Sequence, residues 1–207
     1  MLASISPVGE ASRGQRWHLT VAAYLLASVL GGGAVFAVAG ALGWALLGGL
    51  GAAGLVPPRE AVLGGLALAG LLAIAVDAGR APLRLPSWQR QVDERWLTHY
   101  RGWVYGAGFG FQLGAAVLTR IPTAAIHLLL LFAVASASIP AGAALGATFG
   151  LVRALPLLTT APLREPLALQ RYHRHLDARS SLAKRITDGA LAASVAVLAV
   201  GVAGAVI

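Results

Sequence analysis

Few side chains in this chain are equipped for chemistry, and five of them fall close together: Gln112, Thr119, Arg120, Thr123 and His127, gathered around Pro122. Proline has no amide hydrogen, so in a helix it frees the carbonyl four residues back, that of Leu118. A guanidinium beside such a break binds freed carbonyls or an anion. Gln112 and Thr119 are seven residues apart and share a helix face; Thr123 and His127 are four apart and share another. Polar groups around a broken helix are what transporters use to hold a solute, so these five form the candidate substrate-binding set. The other reading is a short exposed turn, Thr119–Thr123, with Arg120 an ordinary interfacial charge. At the bilayer centre that charge would cost about 2.5–3.5 kcal/mol on insertion scales.

The rest of the chemical inventory is sparse. The chain has no cysteine, which excludes disulfides, thiol catalysis and thiolate metal sites. There is no nucleophile elbow, P-loop, HExxH or Rossmann glycine pattern in a strand–helix setting. His173 and His175 are two apart and point away from each other on a helix. Asp77 and Arg80 read as an interfacial i, i+3 pair. No catalytic set, metal site or cofactor is indicated.

The elements that must position these residues are membrane helices. Of 207 residues, 57% are apolar and 12% charged, and mean hydropathy is +0.75. Soluble domains carry about 25% charged residues; half that value places the chain in the membrane class, all-α and polytopic. Net charge is +8, but eleven of the sixteen basic residues lie in two clusters, Arg80–Arg101 and Arg164–Arg185. Clusters between apolar runs signal cytoplasmic loops and contact with anionic lipid headgroups, not nucleic acid. Lys184 is the only lysine. With the Ala, Gly and Leu bias, that points to a GC-rich bacterial genome and a bacterial inner or plasma membrane.

Residues 1–18 are a polar N-terminal tail with Arg13 and Arg16. The first membrane block, 19–79, divides into about three spans, with 19–38 and 40–56 separated by glycines and a third at 61–79. Residues 80–101 form a basic amphipathic loop in which Trp88, Val92, Trp96 and Tyr100 recur every fourth position. They belong to an interfacial helix or to a helix packed on the membrane domain. Residues 102–158 hold two long or three short spans. Residues 159–185 are a second basic amphipathic loop, and 186–207 the last span, with Asp188 in its first turn. Keeping both basic loops inside favours two long spans between them and six in all, with both termini outside. Seven is the alternative. The hexapeptide Ala81–Pro86 is echoed at Ala161–Pro166, which fits a duplicated plan of two three-helix repeats.

Gly102, Gly106, Gly110 and Gly114 stand four apart and line one helix face. Where lipid removes the hydrophobic drive, such a stripe lets another backbone approach closely. It reads as a packing face inside the bundle or toward another copy; a pore or hinge surface is the second reading.

The stretch Gly108-Phe-Gly-Phe-Gln-Leu-Gly114, leading to Thr119-Arg-Ile-Pro122, resembles the fourth helix of the cytochrome c biogenesis, DsbD-type transmembrane family. In that family a Gly- and Phe-rich half-helix runs into a Thr-Pro-Cys-x-Gly-Pro break at mid-membrane. The resemblance covers a fraction of one helix and implies a scaffold of six spans in two inverted repeats. Arg120 stands near the position of a redox cysteine and the first span lacks the matching Cys-Pro element, so thiol electron transfer does not carry over. Two functional expectations follow: a small-solute transporter built round a broken helix at Arg120–Pro122, or a non-catalytic accessory subunit of a larger membrane complex. A membrane enzyme working on lipid-linked substrates through loop residues such as His99, His173 and His175 is a third. Partners are the bilayer, other membrane subunits or a second copy.

Overall fold

Most of the apolar run Leu19–Val56 lies in one helix, Trp17–Ala52, with no break at Gly31–Gly33 or Gly40. The computed structural model describes residues 4–83, 85, 86, 95–119, 121 and 123–206. Their regular elements are helical: α1 (Pro7–Ser12), α2 (Trp17–Ala52), α3 (Arg59–Asp77), α4 (Trp96–His99), α5 (Gly102–Gly114), α6 (Ala125–Ala135), α7 (Ile139–Ala154) running into a 3-10 helix at Leu155–Thr160, α8 (Pro166–Ala178) and α9 (Ser180–Val206). Four stretches are long and apolar enough to cross a membrane: Trp17–Ala52, Arg59–Asp77, Ile139–Thr160 and Ser180–Gly204. Many large apolar side chains on them are exposed, among them Leu26, Leu30, Leu68 and Val197, as expected of surfaces that face lipid.

Helix lengths separate full spans from partial ones. At 1.5 Å per residue, α2 is about 54 Å long, whereas α5 is about 20 Å and α6 about 16 Å, against a hydrocarbon core of about 30 Å. Within 102–158 the described helices are two short ones, α5 and α6, followed by the longer apolar stretch Ile139–Thr160. α9 also begins earlier than expected, at Ser180, which moves Asp188 from the first turn to the third. There it pairs with Lys184 at 2.9 Å.

The chain divides into two compact units that interleave in sequence. The first is Met1–Phe36, Ser87–Arg120 and Ala143–Arg179; the second is Ala37–Pro86, Ile121–Gly142 and Ser180–Ile207. Neither is a consecutive three-helix block.

In the first unit the glycine stripe of α5 lies against the start of α2. A Cβ on Gly106 would meet the carbonyl oxygen of Thr20, one on Gly110 that of Tyr24, and one on Gly114 that of Ser28. The contacts advance together along both helices, so α5 and the start of α2 run parallel. α7 packs the other way: Gly150 meets Ser28, and Gly146 meets Gly32 backbone to backbone. The Ser28 hydroxyl donates to the Gly150 carbonyl at 2.8 Å, which fastens the crossing. The core above it is Ile5, Val21, Tyr24, Tyr105, Phe109, Ala154 and Leu157. Trp96 of α4 stacks on Phe109 with ring centroids 6.0 Å apart and covers Gly108. Of the aromatic stripe, Trp96 packs on α5 while Tyr100 is exposed; Trp88 and Val92 lie outside the described residues.

In the second unit α3 and α9 run antiparallel, with Gly70 against Val195 and Leu63 near Gly201. α6 lies on α3, also antiparallel: Leu128 approaches Gly70, and Ala124 meets Asp77. Gly40 and Gly43 of α2 meet the backbones of Ser138 and Val134.

These contacts fix the expected response to a methyl group. Gly110→Ala should destabilise the protein by about 1–3 kcal/mol, the usual cost of overpacking. Gly48→Ala, where the space is open, should be neutral or stabilising by up to about 1 kcal/mol from helix propensity. Thermal unfolding of both variants in detergent checks the difference.

Candidate functional site

Of the residues singled out around Pro122, Gln112 and Thr119 fall in the first unit and Thr123 and His127 in the second. Arg120 and Pro122 lie outside the described residues. What the structure does place is the end of α5 and the start of α6. α5 stops at Ala115, after which Ala116 takes a left-handed conformation, φ 60°, at a cost of roughly 1–2 kcal/mol for a residue with a Cβ. None of the described residues between Ala115 and Ala124 is helical. Thr119 is buried there, its hydroxyl unpartnered among the described residues. Gln112 is half-buried in the last turns of α5.

At the start of α6 the sequence missed the main actor. A helix leaves its first amide groups without partners, and here a carboxylate from another helix supplies one. Asp77, the last residue of α3, accepts the Ala124 amide at 2.8 Å through Oδ1 and the Thr123 hydroxyl through Oδ2. The Thr123 hydroxyl oxygen in turn accepts the Ala125 amide at 3.2 Å. Asp77 is therefore a borrowed helix cap, placed where a helix dipole favours negative charge, and not the partner of Arg80. One turn on, His127 Nε2 donates to the Pro86 carbonyl at 2.9 Å, which leaves Nδ1 buried and unpartnered among the described residues.

The capped helix start borders a cavity of about 300 Å³ lined by Asp77, Thr123, Ala183, Lys184, Thr187 and Asp188. Two carboxylates, one ammonium and two hydroxyls make it polar, with one negative charge in excess. No group of three or more His, Asp or Glu suited to a metal ion occurs among the described residues.

A second polar cluster lies where residues 1–18 suggested only a tail. Glu10 is fully buried. Its Oε1 accepts from Tyr105 and, at 2.7 Å, from Arg13; its Oε2 accepts from Thr20 at 2.6 Å. Burial lowers the Arg13 pKa, but hydrogen bonding with Glu10 and Tyr105 outweighs it and the net shift is upward, so Arg13 stays charged. Gln15 accepts the Gly102 amide at 2.9 Å, and Trp17 donates to the Ile5 carbonyl at 3.1 Å. The cluster ties α1 to the starts of α2 and α5, and every oxygen of the carboxylate is used, as burial of a charge demands. It is a structural clamp. A buried acid ten residues before its threonine and ninety-five before its tyrosine leaves no periodic trace in a sequence.

Comparison with protein-family models, with curated proteins and with solved structures finds no match to this chain. Its role therefore rests on the geometry above.

Removing the borrowed cap should expose its worth. Asp77→Ala leaves the Ala124 amide and Thr123 hydroxyl without their acceptor, at an expected cost of about 1–3 kcal/mol. Asp77→Asn keeps one acceptor oxygen and should cost less. Chemical denaturation, with hydrogen exchange at the Ala124 and Ala125 amides, measures both.

Proposed function

We propose that this protein crosses the membrane five times and binds a small polar solute, cationic or zwitterionic, beside an interrupted span. The observation that carries the reading is the start of α6: a half-length helix, capped by a carboxylate from α3, opening on a polar cavity with one excess negative charge. Half-helix ends are where membrane transporters expose backbone groups to a solute without exposing them to lipid. In this reading α5 and α6 together make one interrupted crossing. It keeps the half-helix-and-break idea drawn from the DsbD-type resemblance and drops that family's six spans and thiol chemistry.

Charge supports the count. With α2 a single crossing, α3 returns the chain to its starting side, the α5–α6 pair and α7 make a second round trip, and α9 leaves. Arg13, Arg16 and both basic clusters then share one face, the cytoplasmic one. Only Arg59 among the loop arginines falls opposite. The six-crossing scheme left Arg13 and Arg16 outside; five crossings remove that conflict.

The accessory-subunit reading keeps one specific observation. All four glycines of the α5 stripe are used inside the first unit, which removes them as a face for partners. Gly48, Gly49, Gly64 and Gly65 have open space beside them, a surface on which another helix fits.

The absence of cysteine makes both proposals testable by single introduced thiols. For topology, Ser12→Cys, Thr98→Cys and Ser181→Cys should all be protected from an impermeant maleimide in intact cells, while Ala53→Cys reacts. Labelling of Ser12→Cys in intact cells sinks the five-crossing reading. For the solute cavity, Thr187→Cys should react several-fold faster with a cationic than with an anionic methanethiosulfonate of similar size, and Asp77→Asn should shrink that ratio. An unreactive thiol, or one that prefers the anion, sinks solute binding and leaves the accessory role.

A further inference from the structure

A second cavity, in the first unit, has the opposite chemistry. It measures about 250 Å³, and its walls are mostly apolar: Ile5, Leu113, Pro156 and Leu157, with Tyr24 and Arg153 as the polar members. Arg153 sits in the last turn of α7. Its Nη1 is buried and has no hydrogen-bond partner among the described residues. The Phe149 ring lies under the guanidinium, 5.6 Å from ring centroid to Cζ. The ring and the negative end of α7 favour the charge, but neither accepts the Nη1 hydrogen. The buried carboxylate of the same unit, Glu10, is consumed by Arg13, Tyr105 and Thr20.

An arginine within an apolar helix ordinarily reaches a partner or water at the interface. Here both polar members lie the same distance from the ends of their helices. Tyr24 is seven residues after the start of α2, and Arg153 seven residues before the end of the Ile139–Thr160 stretch. At about 1.5 Å per residue Tyr24 is about 10 Å along α2, near one end of a stretch apolar enough to cross a membrane. A group placed there has an anionic head and an apolar body.

We infer that the cavity between α2, α5 and α7 binds the acidic head of an anionic amphiphile, with Arg153 holding the phosphate or carboxylate and the walls of Leu113, Pro156 and Leu157 taking the first part of its tail. The Tyr24 hydroxyl stands beside Arg153 as a second donor. A guanidinium suits a two-oxygen acid better than an ammonium would, since it offers a planar fork of donors. The site is distinct from the second basic cluster, whose arginines are exposed. Its chemistry follows from the lining residues and needs neither the five-crossing count nor solute transport.

The test is thermal unfolding of the purified full chain in a neutral detergent, with added phosphatidylglycerol, phosphatidylcholine or glycerol 1-phosphate. Phosphatidylglycerol should raise the melting temperature and phosphatidylcholine should not. In Arg153→Gln the apparent affinity for phosphatidylglycerol should fall about ten-fold or more, the worth of a charge-assisted hydrogen bond. Arg171→Gln, on exposed α8, should respond like the unaltered protein. If glycerol 1-phosphate matches phosphatidylglycerol, the same site takes a soluble organic phosphate, and the apolar wall is not part of its selectivity. A response to phosphatidylglycerol that is unchanged in Arg153→Gln, or no preference over phosphatidylcholine, overturns the assignment. Should Arg153→Gln fail to fold, Leu113→Trp decides, because it fills the cavity and keeps the charge: retained selectivity for phosphatidylglycerol overturns the site.

Discussion

Everything in the first unit depends on how closely other backbones approach α2. Ser28 and Gly32 face Gly114 of α5 and Gly146 and Gly150 of α7, with so little room that a single added methyl would strike a carbonyl. In water, burial of large side chains supplies most of the drive for packing. In lipid that drive is gone, and close van der Waals contact with a few interhelical hydrogen bonds takes its place. The Ser28–Gly150 bond is one such fastening. The arrangement uses α2 as a continuous helix through Gly31–Gly33, since Ser28 before these glycines and Gly32 among them both receive α7, and Gly31 and Gly32 also lie against α5.

The polar chemistry gathers at helix ends. In the five-crossing proposal a continuous α2 crosses once, and parity then places every strongly basic stretch on one face. The two short helices, α5 and α6, leave ends to be satisfied. The start of α5 is served by Gln15 on the Gly102 amide, and the start of α6 by Asp77. Each partner comes from a different part of the chain, so helix ends that would be costly in isolation become the points where segments are joined. The same economy explains why Glu10 can be buried: its charge is spread over three donors. Arg153 is a charge whose buried Nη1 the described residues do not serve.

Much of this was legible in the sequence, and the failures have physical reasons. The i, i+4 stripe of Gly102–Gly114 announced a packing face because helical periodicity is independent of context. Gly31–Gly33 and Gly40 were misread as breaks because glycine's low helix propensity and its value at close contacts look identical in one dimension. Only Gly146, Ser138 and their neighbours reveal which applies. A helix break was expected at Thr119–Thr123, whereas α5 ends at Gly114, and Thr123 and His127 bond to Asp77 and the Pro86 carbonyl. Asp77 and Glu10 meet Ala124 and Tyr105 across dozens of residues, and no local pattern reports such contacts. The start of α9 was missed because its first turns carry Lys184, Arg185 and Asp188, which resemble a loop when read by hydropathy alone.

The continuity of α2 is open to one direct measurement. Leu19 and Leu46 are both exposed, near opposite ends of the helix. With no native cysteine to interfere, spin labels at Leu19→Cys and Leu46→Cys report their separation by pulsed electron resonance in lipid nanodiscs. Twenty-seven residues of unbroken helix place the two backbones about 40 Å apart. A distance distribution centred near that value upholds the single rod, and with it the packing of α5 and α7 and the shared basic face. A distribution below about 20 Å, as a hairpin at Gly31–Gly33 would give at helix-packing separations, contradicts the account at its root.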